Sequence, residues 1–387
     1  MAITFRLHAV EGAARVGLLN TPHGDVPTPA FMPVATQGSV KALSPDDLKG
    51  LGATILLGNT YHLYLRPGPD LVQQMGGLAA FMGWNGPTLT DSGGFQAYSL
   101  GPNVKIGEDG IAFRSVLDGS RHLFTPEKAM AFQQAIGADF VMALDQCLKY
   151  TQDKDAVCAA MDRTHRWAAR CKQAHTSDSQ ALLGIVQGGV FQDLREESAA
   201  YVTGLDFPGY AIGGLSVGEP KSEMYPLTAF TAGLLPPGKL RYLMGVGSPE
   251  DLVECVARGI DLFDCALPTR VARNGGLFTR KGRVDVGTAA LFRGKEGPVE
   301  EGCDCYSCRT FSAGYLHHLF RAKELLALRL ASIHNLRFIA RLMGDMREAI
   351  LIGRFAAFAQ SFLEGYRTAN EEERLRQAGK RMARARE

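Results

Sequence analysis

Along residues 3–35 apolar and polar positions alternate with period two, broken by Asn20-Thr21-Pro22-His23-Gly24-Asp25 and by Pro27 and Pro29. This pattern predicts antiparallel strands placed as a lid over one end of the fold. From residue 31 the rhythm changes. Short apolar runs at 31–35, 54–57, 87–90, 140–144, 182–186, 210–212, 241–244 and 260–263 each end in polar or Gly-rich turns, with helical stretches between them. Helix start signals stand at Ser44, Thr125, Thr151, Phe191 and Ser248, with acidic residues close behind each. Eight strand-to-helix units predict a (β/α)8 TIM barrel before any open sheet.

The unusual polar residues fall just past the predicted strand ends. Gly58-Asn59-Thr60-Tyr61-His62, Asp91-Ser92-Gly93-Gly94-Phe95-Gln96, Asp145-Gln146-Cys147, Gln187-Gly188-Gly189, Gly213 to Glu219, Gly245-Val246-Gly247 and Asp264-Cys265 all occupy such positions. In a closed barrel these ends converge on one face, so side chains far apart in sequence line one pocket. The stretch 259–276 is the densest of them, placing Asp264 at a strand mouth and Arg270 and Arg273 directly after it. That order suits a reactive acid beside a guanidinium clamp for phosphates or base edges.

Asp264 and Asp91 facing one cavity form a carboxylate pair of the kind that cleaves glycosidic bonds by double displacement. Aspartates capping the following helices are the plainer reading of such positions. Asp145, Gln187 and the Gly213-Gly214 backbone offer donors and acceptors suited to a purine edge, and Phe95 and Met244 offer faces to stack on it. Met244 as simple core and the glycines as simple turns remain open on this reading, and His62 reads as a structural histidine. No dinucleotide fingerprint or phosphate loop is present.

Past Asp264, residues 277–312 are short, basic and Gly-rich, with Arg280, Lys281, Arg283, Arg293 and Lys295, and contain Cys303, Cys305 and Cys308. His334 follows 26 positions after the last cysteine. Three thiolates and an imidazole make four soft ligands, enough to close a tetrahedral zinc site with no open position. Three buried thiols and an unrelated histidine are the alternative. A long amphipathic stretch over 336–366 is expected to cover the outside of the barrel, and a charged tail to follow over 367–387. The expected organisation is an N-terminal capping segment at 1–30, a catalytic barrel at 31–366 with a zinc-binding subdomain inserted at about 277–335, and the tail.

Composition changes this picture little. The 387 residues are 46% hydrophobic and carry 42 basic against 40 acidic side chains, so any nucleic-acid binding rests on a local basic patch. No span is long and apolar enough for a membrane helix, and the N-terminus lacks signal-peptide order, which makes a cytoplasmic protein the expectation. Eight cysteines in that compartment stay reduced, favouring a metal site over disulfides.

Taken together, the motifs at Asp91–Gln96, Gly213–Glu219 and Phe263–Gly275 and the Cys-x-Cys-x2-Cys…His set closely resemble bacterial tRNA-guanine transglycosylase, also called queuine tRNA-ribosyltransferase, from about residue 5 to 366. The resemblance implies a homodimer holding one structural zinc per subunit on Cys303, Cys305, Cys308 and His334. It implies an enzyme that exchanges the wobble guanine of tRNAs with a GUN anticodon for a 7-deazaguanine in queuosine biosynthesis. On it, Asp264 is the nucleophile that holds tRNA covalently and Asp91 the general acid/base. Asp145, Gln187, Gly214 and Leu215 hold the base edge, Phe95 and Met244 stack on it, and Arg270 and Arg273 hold the anticodon loop.

Cys147 and Val217 match bacterial members, which implies 7-aminomethyl-7-deazaguanine as the incoming base. Two positions depart from relatives. Ser248 stands where one has an RNA-contacting lysine, and Phe95 where some have tyrosine. An archaeal D-arm enzyme of the same superfamily is expected to carry a further C-terminal RNA-binding domain. A non-catalytic RNA-binding subunit is expected to lack the nucleophile.

Overall fold

The computed structural model describes residues 3–99 and 104–367, with side chains left aside at 97–99. Nine hydrogen-bonded segments follow one another in a single parallel sheet. Two of them, Ala30–Met32 and Val34–Ala35, are one chain path interrupted at Pro33, which has no N–H to give. The first half pairs with Leu262–Asp264 and the second with Leu56–Gly58, so the path closes the sheet into an eight-stranded ring. Between these lie Thr88–Thr90, Phe140–Met142, Ala181–Val186, Gly209–Ile212 and Leu240–Leu243, each parallel to its neighbour. All eight coincide with the predicted runs to within two residues at either end.

Apolar side chains fill the ring, among them Met32, Ile55, Leu89, Phe140, Leu183 and Leu262. Leu19 and Val26 belong to the same cluster but come from the antiparallel sheet Thr4–Glu11, Ala14–Thr21 and Gly24–Thr28. That sheet sits over the N-terminal ends of the barrel strands. His23 Nδ1 lies 2.7 Å from Asp139, and Arg15 donates to Asp261 at 3.1 Å and to the Lys239 carbonyl at 2.9 Å. Residues 139, 239 and 261 each stand one position ahead of a barrel strand. One end of the ring is thereby plugged, and the C-terminal ends are left to form a site.

Helix starts follow the predicted chemistry where a side chain can accept a hydrogen bond. Ser44 and Asp47 form a reciprocal capping box, and Thr125 and Ser248 accept the N–H groups of Lys128 and Asp251. Two positions differ. Asp153, two residues past Thr151, caps the helix Lys154–Ala174, while Phe191 holds a cap position with no oxygen to offer.

Three other elements depart from expectation. An antiparallel sheet of Lys105–Ile106, Ile111–Arg114 and Arg121–Phe124 interrupts the third strand-to-helix unit. Its strands are too short to stand out against the barrel rhythm, although Asp109-Gly110 and Asp118-Gly119 mark its turns. It is tied down by the arginines of one helix: Arg163 and Arg166 to Glu108, and Arg170 to Glu127 and the Glu108 carbonyl.

The amphipathic stretch expected over 336–366 falls in two helices, Leu325–Leu351 and Phe355–Gly365. Gly353, at φ +67°, breaks the path between them. The long helix begins at Leu325, takes in His334, and packs on the barrel and the N-terminal sheet. Arg329 pairs with Asp47, and Arg347 donates to the Pro29 carbonyl. Of the predicted tail, Arg367 bridges to Gly282, and the rest lies outside the described residues. Among the described residues no helix is long and apolar enough to cross a membrane.

Candidate active site and metal centre

A cavity of about 400 Å³ opens at the C-terminal ends of the barrel strands, within the range of small-molecule pockets. Asp91, Asp145 and Asp264 all line it, from the third, fourth and eighth strand ends. Phe95, Gly214, Leu215, Met244 and Arg270 line it too. Closing the ring has brought seven loops from over two hundred positions of sequence to one space.

Asp264 is the last residue of its strand. Its Oδ1 accepts the Tyr242 hydroxyl at 2.6 Å and the Gly245 N–H at 2.9 Å, while Oδ2 has no hydrogen-bond partner among the described residues. Burial raises its pKa, and the two donors work against that. One oxygen is therefore anchored and the other is free toward the cavity.

Asp91 is held differently. Oδ1 accepts the N–H groups of Thr60 (2.9 Å) and Gly93 (3.2 Å), and Oδ2 accepts the side-chain amides of Asn59 (2.5 Å) and Gln96 (3.0 Å). Both ends of the Asn59 amide are engaged, because its oxygen accepts the His62 N–H. Four donors favour the ionised form, but burial outweighs them and, with the charge of Asp264, pushes the carboxyl up to about 7. The helix-cap reading of Asp91 holds in part, since Thr60 opens the neighbouring helix Thr60–Leu65.

Asp145 is not a cap. Its oxygens accept Gln187 Nε2 at 2.7 Å and Ser92 Oγ at 3.3 Å, and burial pushes it up to about 6. Gln187 stands behind Asp145, lining a small adjoining cavity instead of the main one. The glycines are required by this contact. A Cβ at Gly213 would come within 2.6 Å of Gln187 Nε2, and one at Gly214, where φ is +67°, would collide with Gln187 Oε1.

Arg270 reaches the cavity rim from the helix Leu267–Arg273. Arg273 sits half-buried on that helix and does not line the cavity. Ser248 is a buried helix cap. His62, read as structural, lines the cavity with no hydrogen bond to its ring among the described residues, and burial lowers its pKa.

Four participants escaped the sequence reading. Asn59, Gln96 and Ser92 sat inside segments already noted, but nothing distinguished them from ordinary loop residues. Tyr242 gave no signal, because a strand pattern does not say that a phenol inside the ring points along it to a carboxylate.

These raised carboxyls have a consequence for stability. Between the ordinary value of 3.8 and about 7, folded Asp91 keeps a proton that the unfolded chain has released, and Asp145 and Asp261 behave likewise up to about 6 and 7. Stability from these groups is therefore full below about pH 4 and lost as pH rises toward 7, by up to about 1.4 kcal/mol per pH unit for each proton. Thermal melting across this range should show the decline, and Asp91→Asn should flatten it by one proton's share. An unchanged slope would refute the assignment.

Away from this cavity, Cys303, Cys305, Cys308 and His334 place their ligand atoms within 4.8 Å of one another. The three sulfurs lie 3.8, 3.7 and 3.3 Å from His334 Nδ1. Around a tetrahedral zinc the S···N separation is ~3.6 Å, so the donor set fits such an ion. His334 Nε2 is 2.7 Å from the Phe278 carbonyl, which fixes the proton there and leaves Nδ1 free to ligate. Asn335, next on the same helix, accepts the Phe278 N–H and donates to the Pro268 and Gly276 carbonyls. The cluster is thus tied to the segment carrying Arg270.

The family model described as queuine tRNA-ribosyltransferase matches residues 10–368. A protein of that name from Pelotomaculum thermopropionicum is 54% identical over 95% of this chain and 99% of its own length. Those of the same name from Herpetosiphon aurantiacus and Caldanaerobacter subterraneus are each 55% identical, over 94% and 93% of this chain and 93% and 96% of theirs. With the barrel, the carboxylate-lined cavity and the Cys3His cluster in place, the chain belongs to the queuine tRNA-ribosyltransferase family.

Proposed function

We propose that this protein exchanges the wobble guanine of tRNAs with a GUN anticodon for 7-aminomethyl-7-deazaguanine, by double displacement. The observation that carries the reading is the half-anchored carboxylate of Asp264, its Oδ2 at the cavity without a hydrogen-bond partner among the described residues. Oδ2 attacks the ribose C1′, the bond from C1′ to guanine N9 breaks with its electron pair going to the base, and tRNA is left as an aspartyl ester. Protonated Asp91 supplies a proton to the departing base. Its carboxylate then takes one from the incoming base, whose N9 displaces Asp264. A carboxyl held near neutrality suits both roles.

The target base has to leave its stack to enter the pocket. There Asp145, backed by Gln187, and the Gly214 and Leu215 backbone take its edge, and Phe95 and Met244 take its faces. Cys147 and Val217 line the cavity wall and suit the bacterial substrate. Arg270 and Arg273 meet the anticodon loop. The Cys3His cluster holds zinc as a structural ion, completing a closed coordination set. A cytoplasmic homodimer, with residues 31–366 as its catalytic unit, completes the reading.

The test is incorporation of labelled guanine into unmodified tRNA without nucleotide triphosphate. Exchange supports the proposal, whereas tight tRNA binding without exchange supports a binding module. Asp91→Asn should slow exchange about 10²- to 10⁴-fold while sparing tRNA affinity. A variant as fast as the parent would remove Asp91 from the mechanism.

A further inference from the structure

The helix Gln192–Gly204 packs behind the fifth barrel strand, and two residues one turn apart on its buried side grip the loop after that strand. Ser198 Oγ accepts the Gln187 N–H at 3.1 Å and lies 2.9 Å from His165 Nε2. Arg195 is fully buried. Its Nε donates to the Gly189 carbonyl at 2.7 Å and its Nη2 to the Gly213 carbonyl at 3.2 Å, so one guanidinium joins the loops after the fifth and sixth strands.

The second contact fixes a direction. In a planar trans peptide the C=O and the following N–H point opposite ways. Holding the Gly213 carbonyl back toward Arg195 therefore aims the Gly214 N–H away from it, toward Cys147, and both Gly214 and Cys147 line the cavity. The first contact holds the loop whose Gln187 backs Asp145.

The residue is expensive to keep. Burial pulls the guanidinium down to about 10, so it stays charged at neutral pH, and its Nη1 is buried with no partner among the described residues. A buried charge with an unmet donor destabilises a fold compared with an apolar side chain of similar size. Departures of this kind concentrate where a site needs its groups held. What Arg195 holds are two base-reading loops.

We infer that Arg195 is a positioning residue for base recognition, setting the distance between the Gly214 N–H and the Asp145–Gln187 pair and hence the affinity for the free base. The inference rests on the proposed exchange activity. tRNA affinity, spread over many phosphate contacts, is largely independent of it.

Arg195→Met, Arg195→Lys and Ser198→Ala are compared with the parent for the KM of labelled guanine, the KM of tRNA, and direct guanine binding by calorimetry. Arg195→Met should raise the guanine KM and Kd about 10- to 100-fold, the cost of misplacing positioned groups by an ångström or less. Arg195→Lys should do less, because an ammonium reaches one carbonyl in place of two, and the tRNA KM should stay within about twofold. An unchanged guanine KM, or both KM values rising together, overturns the inference. If Arg195→Met fails to fold, Arg195→Lys and Ser198→Ala decide on the same criterion. A parent that binds guanine without exchanging it refutes the activity, while the calorimetry still reports on Arg195.

Discussion

Asp264→Asn is expected to abolish base exchange, by on the order of 10⁴-fold or more, and with it the covalent adduct with tRNA on a denaturing gel. The amide keeps the size of the carboxylate, and its oxygen can still accept the Tyr242 hydroxyl and the Gly245 N–H that now anchor Oδ1. What it loses is the carboxyl oxygen Oδ2, the atom proposed to form the ester. Because the anchors survive, folding and tRNA affinity should be near those of the parent. Melting and filter binding check this, so a loss of adduct is assignable to chemistry. An adduct that persists in Asp264→Asn would place the nucleophile elsewhere.

Removing the metal is expected to have the second-largest effect, on structure. Cys308→Ala leaves two thiols, and chelation three, facing a buried imidazole with no ion between them. Structural zinc sites contribute folding free energy outright, so a loss of several kcal/mol is expected. In a chain of this size that lowers melting by on the order of 10 °C. The damage should spread along the hydrogen bonds from His334 to Phe278 and from Asn335 to Pro268 and Gly276, reaching the helix that carries Arg270. The affinity for tRNA should therefore fall further than that for free base, whose pocket is built on the barrel loops. Elemental analysis should find one zinc per chain, and metal-free protein melting as the parent does would end the metal claim.

The barrel was legible because its cause is local. Each strand is a short apolar run that must be buried on both sides, and each is closed by a turn, so eight such units with helices between them leave few architectures. The small sheet at 105–124 was not legible, because its two- and four-residue strands carry too little periodicity to compete with that rhythm. The division of the amphipathic stretch into two helices was not legible, since the break at Gly353 depends on one left-handed residue in an otherwise continuous apolar pattern.

The site divides in the same way. Sequence alone determined which residue types stand at the strand ends: the acids at 91, 145 and 264, the glycines at 213 and 214, and the three cysteines whose spacing announced a metal site. It did so because strand ends, tight turns and metal loops each demand particular chemistry at neighbouring positions. Only the tertiary structure decided that the three acids share one cavity, that Asp91 is caged by four donors while Asp264 Oδ2 has no partner among the described residues, and that Gln187 and Arg195 stand behind the wall. Those facts depend on distances between residues tens to hundreds of positions apart, and such distances are set by ring closure and burial, which no local pattern encodes.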